Sequence, residues 1–348
     1  MSTLSPGLFT YAEWAIRMDP DGKTSELVNL QSQHNGILED CLAQPANHGN
    51  AHEFTQVVKL PTPSRRSYNQ GIVATMAAVQ KQIQTAIEYD DLVKFDKSLA
   101  ELGGNLSDLR YQEDAMHLEA MGQLVASDLF YANRSTDITQ FTGLANVYFT
   151  VNSTTSNIAK NVLDCGGTGS NNASIWLITW GAKQFHTIFP KGFPAGMQHI
   201  DRGLELAYDT NTPIGTFLAY LTWIQWNIGI CVEDWRYCSR AANIDVTTFG
   251  GGSAPPLINI LVTMCQMLPT QPAGVGPVQT SDAPDKVTVG RSALYMNRTV
   301  ALALDLQAMN KTNVLLKMEE WMGETVTTFR GIPIRIVDAL TITETRVT

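Results

Sequence analysis

The stretch that decides the fold is Val79-Gln80-Lys81-Gln82-Ile83-Gln84-Thr85-Ala86-Ile87-Glu88-Tyr89. Val79, Lys81, Ile83, Thr85, Ile87 and Tyr89 alternate with Gln80, Gln82, Gln84 and Glu88. This period of two is typical of a half-buried β-strand. At the usual rise per residue, about eleven residues of strand extend roughly 36 Å. The pattern therefore predicts one long strand over residues 79–89.

A second extended stretch, Phe54 to Leu60, precedes this strand, and a segment with Pro and Arg, Pro61 to Ser67, lies between the two. The expected structure is a hairpin arm over about residues 52–89 that turns at 61–67. A two-stranded arm is only marginally stable in water, so its apolar side needs a further surface. We expect another molecule to supply that surface, through Trp14, Phe54, Val57, Val58, Leu60, Arg65, Arg66, Ile72 and Val73.

Two interpretations fit Arg65 and Arg66, which lie in the predicted turn. They are either solvated charges or donors of two-point hydrogen bonds to carboxylates of an adjoining subunit.

The composition indicates a surface that other protein largely covers. Of the 348 residues, 16% are charged and 44% are hydrophobic, whereas about a quarter of an ordinary domain is charged. The formal net charge of −9 argues against general binding of nucleic acid or of an anionic membrane. No apolar run is long enough to span a bilayer, and the amino end lacks the pattern of a secretory signal. Five widely spaced cysteines are expected to stay reduced.

The rest of the pattern predicts an α+β fold. The longest helix is expected over about residues 107–131, and mostly strands follow from 144 to 244. The Gly250-Gly251-Gly252-Ser253 run marks a hinge or boundary. Beyond it we expect a helix after Pro255 and Pro256, a last helix capped by Asn297, and two closing strands.

The candidate chemical motifs all favour structural interpretations. His48 and His52 are spaced like a helical metal pair, but Gly49 and Asn50 between them make a helix unfavourable. Gly166 to Ser170 lacks the Lys-Ser/Thr ending of a phosphate loop. His117 is expected at the surface, and His186 and His199 are expected to have structural roles. We therefore expect no catalytic residue, no metal and no cofactor.

Several segments, taken in order, resemble the major capsid proteins of tailed bacteriophages of the Hong Kong 97 type. An amino-terminal arm, a long hairpin and a long helix open the chain as in that family. The segments 129–133 and 141–145 are similar to the exit of the family's spine helix. Ala293 to Arg298 and Phe329 to Arg335 are similar to its axial domain.

The resemblance implies four regions: an N-terminal arm (1–45), an extended β-hairpin loop (46–90), a peripheral domain with the spine helix (91–248) and an axial domain (249–348). In the type member, strands like those of 176–242 come last, so we expect the peripheral sheet here to be completed mid-chain. Lys59 and Lys81 lie on the arm, but no acidic catalyst is evident beside them, so no covalent cross-link is expected.

The implied function is a structural one, without enzymatic activity. Pentamers and hexamers would form an icosahedral shell around double-stranded DNA, which they would contact weakly. Portal, scaffolding and decoration proteins are further expected partners, and a membrane is not. The expected location is the virion, with assembly in the host cytoplasm. Two alternatives remain open: an encapsulin-like compartment shell, and a soluble enzyme with a small-molecule site near His186, His199 and Asp201.

Overall fold

The computed structural model describes residues 31–102, 106–208, 215–249, 254–269, 291–309, 316–321 and 324–348. The predicted contact residue Trp14 and the predicted hinge at 250–253 lie outside these ranges. The described helices are α1 (Ile37–Asp40), α2 (Lys97–Leu102), α3 (Leu106–Tyr131), α4 (Leu144–Val147), α5 (Leu257–Met267) and α6 (Arg298–Met309).

Fourteen strands are described, and they mix with the helices along the chain. They are β1 (Ala43–Pro45), β2 (Ala51–Lys59), β3 (Ala78–Thr85), β4 (Ile87–Asp96), β5 (Val162–Asp164), β6 (Asn172–Trp180), β7 (Phe185–Phe189), β8 (Met197–Tyr208), β9 (Thr216–Val232), β10 (Cys238–Asp245), β11 (Arg291–Met296), β12 (Leu316–Trp321), β13 (Glu324–Phe329) and β14 (Ile332–Ile336).

The chain forms two compact units, and neither is a single stretch of sequence. The described part of the smaller unit comprises residues 31–33, 88–102, 106–125, 196–208 and 215–227. The larger unit takes the described residues of 34–87, 126–195 and 228–348. The expected boundary at 248/249 therefore falls inside the larger unit, and the expected region 91–248 is divided between both.

The smaller unit combines most of α3 with the hairpin of β8 and β9. These two strands pair antiparallel from Met197 opposite Trp226 to Tyr208 opposite Thr216. The predicted long helix is confirmed, since α3 runs from Leu106 to Tyr131 in a sequence rich in strong helix formers. Within this unit α3 buries Leu109 and Met121.

The larger unit is built on a mixed sheet in which β6 is central. This nine-residue strand is buried throughout and pairs antiparallel with both β10 and β11. Helices α5 and α6 pack against residues of these strands in one apolar core. The predicted cap of α6 is confirmed, because the Asn297 side chain accepts a hydrogen bond from the Thr299 N–H at 2.9 Å. The Pro-Pro start of α5 is confirmed as well, since proline suits a helix amino terminus.

A buried ion pair fixes the end of the chain in the larger unit. Arg240 Nη2 lies 2.9 Å from Glu344 Oε2, with side chains only 4% and 6% exposed. Ser174 and Tyr131 donate hydrogen bonds to the same carboxylate, and the Arg240 guanidinium also lies over the Trp176 ring. Because buried charges are costly without partners, this network holds residues 341–348 firmly in place.

The predicted single strand over 79–89 is wrong in one respect: it is two strands, β3 and β4, interrupted at Ala86. Ala86 is fully buried, and its N–H donates to the Asn50 carbonyl at 2.9 Å. The backbone here lies so close to Gly229 that a Cβ on that glycine would be 2.6 Å from the Thr85 oxygen. Close packing at the root of the hairpin therefore ends β3.

The predicted turn at 61–67 is also misplaced. The chain reverses at Ser67–Gln70, where Asn69 adopts a left-handed conformation with φ of 64°, which asparagine tolerates better than most residues. Residues 60–77 form an irregular loop between the two strands. We call these residues the distal loop.

Candidate assembly surface

The hairpin of β2 and β3 has two distinct faces, which its register defines. Directly opposite residues in an antiparallel pair share one face. His52, Phe54 and Gln56 lie opposite Gln84, Gln82 and Gln80 and form the inner face. Glu53, Thr55 and Val57 lie opposite Ile83, Lys81 and Val79 and form the outer face. The three glutamines of β3 therefore share the inner face, and Val79 and Ile83 share the outer face with Lys81.

The inner face is held by the rest of the larger unit. The Gln56 Nε2 donates a hydrogen bond to the Glu233 carbonyl oxygen at 2.6 Å, and the His52 ring lies 3.0 Å from the Glu233 carboxylate. Phe54 packs against Ala86 and other residues of the same chain. The described contacts of this ring lie within its own unit, and its role between subunits stays a prediction.

The outer face leaves its aliphatic side chains bare. Val57 and Val79 form a cross-strand pair and are 60% and 63% exposed, and Ile83 is 54% exposed. Glu53 and Lys81 form an ion pair at 2.5 Å on the same face, and this hydrogen-bonded ammonium lowers the pKa of the Glu53 carboxyl. The outer face is thus an apolar strip interrupted by one ion pair.

The distal loop continues this apolar surface. Leu60 is 74% and Val73 82% exposed, and Val58 and Ile72 are also exposed. Tyr68 and Met76 are exposed as well, although the sequence analysis did not predict them as contact residues. Their position as large apolar side chains between the two strands could have indicated this role. Isolated exposed apolar residues are ordinary, but so many on one hairpin make it a candidate interaction surface.

The residues of the enzyme alternative are divided between the two units. His186 belongs to the larger unit, whereas His199 and Asp201 belong to the smaller one. His199 pairs with Asp114 at 2.9 Å. Arg110 donates to Asp201 at 2.6 Å and thereby lowers the pKa of that carboxyl. These contacts tie α3 to β8 within the smaller unit, which is a structural role.

His117 is more than a surface residue. Its ring lies 2.6 Å from the Asp91 carboxylate and 3.5 Å from that of Glu113. Hydrogen bonding to Glu113 and then to Asp91 outweighs partial burial and raises the pKa of His117 to about 9. His117 is therefore charged at neutral pH and joins α3 to β4.

Among the described residues, helices of the length and apolarity needed to cross a membrane are absent.

Comparison with known proteins places the whole chain in one class. Residues 19–348 match the family model described as Major capsid protein GP7. A chain in the structure of bacteriophage Epsilon15 is 30% identical, with a TM-score of 0.78 and complete coverage of both chains. Among curated proteins, none matches.

More distant structures share little sequence with this chain. The bacteriophage JBD30 capsid is 11% identical over 91% of this chain and 96% of its own, with a TM-score of 0.44. The SrpI encapsulin complex of Synechococcus elongatus is 11% identical over 69% of this chain and 97% of its own, with a TM-score of 0.42.

These findings settle the choices that the sequence left open. The α+β fold is that of phage capsid proteins of the Hong Kong 97 type. The function is structural and non-enzymatic: copies of the chain assemble into the capsid shell of the virion. The chain belongs to the family of the major capsid protein GP7.

Proposed function

We propose that the hairpin is the extended loop of the capsid subunit and that its outer face, with the distal loop, covers a neighbouring subunit. The observation that carries this is the inverted burial of the hairpin. On the inner face Gln56, Gln82 and Gln84 are half-buried, and Gln56 donates a hydrogen bond to Glu233. On the outer face Val57, Val79 and Ile83 are exposed. An apolar strip that the described residues leave uncovered is best satisfied by a second copy.

The contacts between copies are proposed to be heterologous, with the arm of one subunit on the body of the next. Such contacts close into rings when the rotation between copies is a fraction of a full turn. Pentamers and hexamers of this kind would tile an icosahedral shell. Arg65 and Arg66, both exposed in the distal loop, are proposed to meet carboxylates of the adjoining subunit, as guanidinium groups readily do.

Within the subunit, the smaller unit is proposed to be the peripheral domain, because it carries most of the long helix α3. The larger unit would then hold the axial domain together with the extended loop. This proposal differs from the predicted division at residue 248, because the described residues of 126–195 group with those of 228–348.

The shell is proposed to enclose double-stranded DNA and to contact it weakly, because the formal net charge is −9 and phosphate binding depends on basic residues. Portal, scaffolding and decoration proteins are proposed as further partners. Assembly is proposed to occur in the host cytoplasm, which agrees with five free cysteines and a reducing compartment.

A shortened hairpin tests this proposal. Lys59 and Ala78 are paired at the end of the ladder, so residues 60–77 can be replaced by Asn-Gly, the usual two-residue hairpin turn. This change removes most of the proposed contact residues and leaves both strands intact. We expect a subunit with unchanged melting temperature that no longer forms shells in negative-stain micrographs. Normal shells from the shortened chain would refute the proposed role of the distal loop.

A further inference from the structure

Four side chains with metal-binding chemistry meet at the root of the hairpin. His186 on β7 lies directly opposite Cys231 on β9, so both side chains project from the same face of the sheet. Glu233 follows two residues after Cys231 and His52 comes from β2. One ligand atom of each residue lies within 4.8 Å of those of the other three.

Three buried ring nitrogens of this cluster make no hydrogen bond within the usual distance and angle limits among the described residues. The His186 side chain is fully buried, and neither of its ring nitrogens makes a hydrogen bond of normal geometry. The His52 Nδ1 atom is also buried and makes no hydrogen bond among the described residues. A buried polar atom without a partner costs free energy, so a ligand that engages these nitrogens would remove an existing penalty.

We propose that His52, His186, Cys231 and Glu233 bind one divalent transition-metal ion, with zinc as the best match. Two imidazoles, one thiolate and one carboxylate form a mixed nitrogen, sulfur and oxygen set that suits zinc. Calcium and magnesium prefer sites made of oxygen ligands alone.

The geometry needs a small contraction to hold the ion. Zinc–ligand distances of about 2.0–2.3 Å place tetrahedral ligand atoms up to about 3.8 Å apart. The present limit of 4.8 Å therefore has to shrink by roughly 1 Å. On binding, the Cys231 thiol loses its proton to solvent, and the contact between His52 and Glu233 is exchanged for bonds to the metal.

The metal would fasten the hairpin to the sheet of the larger unit. His52 lies on the hairpin, while His186 and Cys231 lie on two strands of the sheet. The ion would thus fix the root from which the outer face projects. This inference concerns the single subunit, so it stands or falls separately from shell formation.

Cobalt and zinc binding to the untagged full-length protein test the inference. The protein is dialysed against a chelator, then against metal-free buffer, and titrated with Co²⁺. We expect one Co²⁺ per chain, with the visible bands of a tetrahedral site and a thiolate-to-cobalt charge-transfer band. Zn²⁺ should displace the cobalt, and its addition should raise the melting temperature, because it binds the folded state.

Matched variants show whether these four residues hold the metal. Cys231→Ser should abolish the charge-transfer band, whereas Cys165→Ser, at a half-buried thiol in the same unit, should leave it unchanged. His52→Asn should weaken zinc binding by at least about 10-fold, while His48→Asn, at an exposed position four residues away, should not. Because His52 is only half-buried, its variant remains informative if Cys231→Ser fails to fold.

Three outcomes would overturn the inference. The first is a titration without a charge-transfer band, and the second is a stoichiometry well below one metal per chain. The third is zinc affinity in His52→Asn equal to that of the unmodified protein.

Discussion

Replacing Val57 and Val79 together by threonine should weaken assembly while leaving the isolated subunit intact. The two residues face each other across β2 and β3 on the outer face. Threonine has the shape of valine and is also β-branched, so the strands keep their local preference. The change therefore alters the polarity of the outer face with little effect on its form.

The expected magnitude follows from the exposure of the pair. Each substitution replaces a methyl group, worth about 0.8 kcal/mol when buried, by a hydroxyl that costs about 1–3 kcal/mol when buried without a partner. Since 60% of Val57 and 63% of Val79 remain to be covered, each contact between subunits should weaken by roughly 2–5 kcal/mol. That range corresponds to a factor of about 30 to several thousand in its dissociation constant.

Light scattering and sedimentation velocity over a concentration series measure this effect as the lowest concentration at which shells form. The double variant should need a much higher concentration than the unmodified protein. Thr55→Val, on the same face, should need a lower one. The melting temperature of unassembled subunits should stay the same in both variants. Assembly of the double variant at the unmodified concentration, with its fold intact, would refute the reasoning that the outer face is an interface.

Three other changes probe single features of the subunit. Arg240→Met leaves the Glu344 carboxylate buried without its cation, so denaturant titrations should show a free energy of unfolding lower by about 3–5 kcal/mol. The double variant Arg240→Met, Glu344→Leu should recover much of this loss. Equal losses in the single and the double variant would contradict this account. The pKa of His117 is raised from 6.5 to about 9, so its contribution to the free energy of unfolding is complete below pH 6.5 and is lost as the pH rises through 9. Melting curves over this pH range should show a loss of about 1 kcal/mol or less, as expected for a partly exposed pair. His117→Gln should remove the pH dependence of the melting temperature in this range. Gly229→Ala would place a methyl group 2.6 Å from the Thr85 oxygen and should lower the free energy of unfolding by about 1–3 kcal/mol. An unchanged denaturation midpoint would show that the backbone at the hairpin root moves to accommodate the methyl group.

Much of the fold could be predicted because its signals are local. The alternation of residues 79–85 predicts β3, and the helix formers of 107–131 predict α3 almost to the residue. The cap at Asn297 depends only on residues two apart. Each of these features depends on residues that are close in sequence, so local composition and hydrophobic periodicity are enough to predict it.

The interruption at Ala86 could not be predicted, because its cause is distant in sequence. Residues 79–89 keep their period of two through Ala86, yet Gly229 packs against the backbone there and ends the strand. The division into units could not be predicted for a similar reason, since the described residues of 88–125 and 196–227 form one unit only after the chain has folded.

The proposed metal-binding cluster could not be predicted from the sequence for the same reason. His52, His186, Cys231 and Glu233 come from three separate segments, and only Cys231 and Glu233 are close in sequence. His48 and His52 drew attention as a spaced pair, whereas the structure brings His52 to His186 instead, with ring centroids 5.2 Å apart. A motif based on sequence spacing cannot identify ligands that come from distant segments and meet only when the strands pair.

The arrangement of the hairpin faces explains how one chain can fold alone and still be ready to assemble. Its own surface at the hairpin root offers the Glu233 carbonyl and carboxylate, which polar side chains satisfy better than aliphatic ones. His52 and Gln56 therefore bind Glu233 from the inner face, and strand alternation places Val79 and Ile83 on the opposite face. The ion pair of Glu53 and Lys81 places charge within that strip, and charge on an exposed strand opposes indiscriminate edge pairing. In the proposed assembly a correct neighbour keeps the ion pair at its rim while covering the aliphatic side chains. The residues proposed to favour the shell would then also disfavour disordered aggregation.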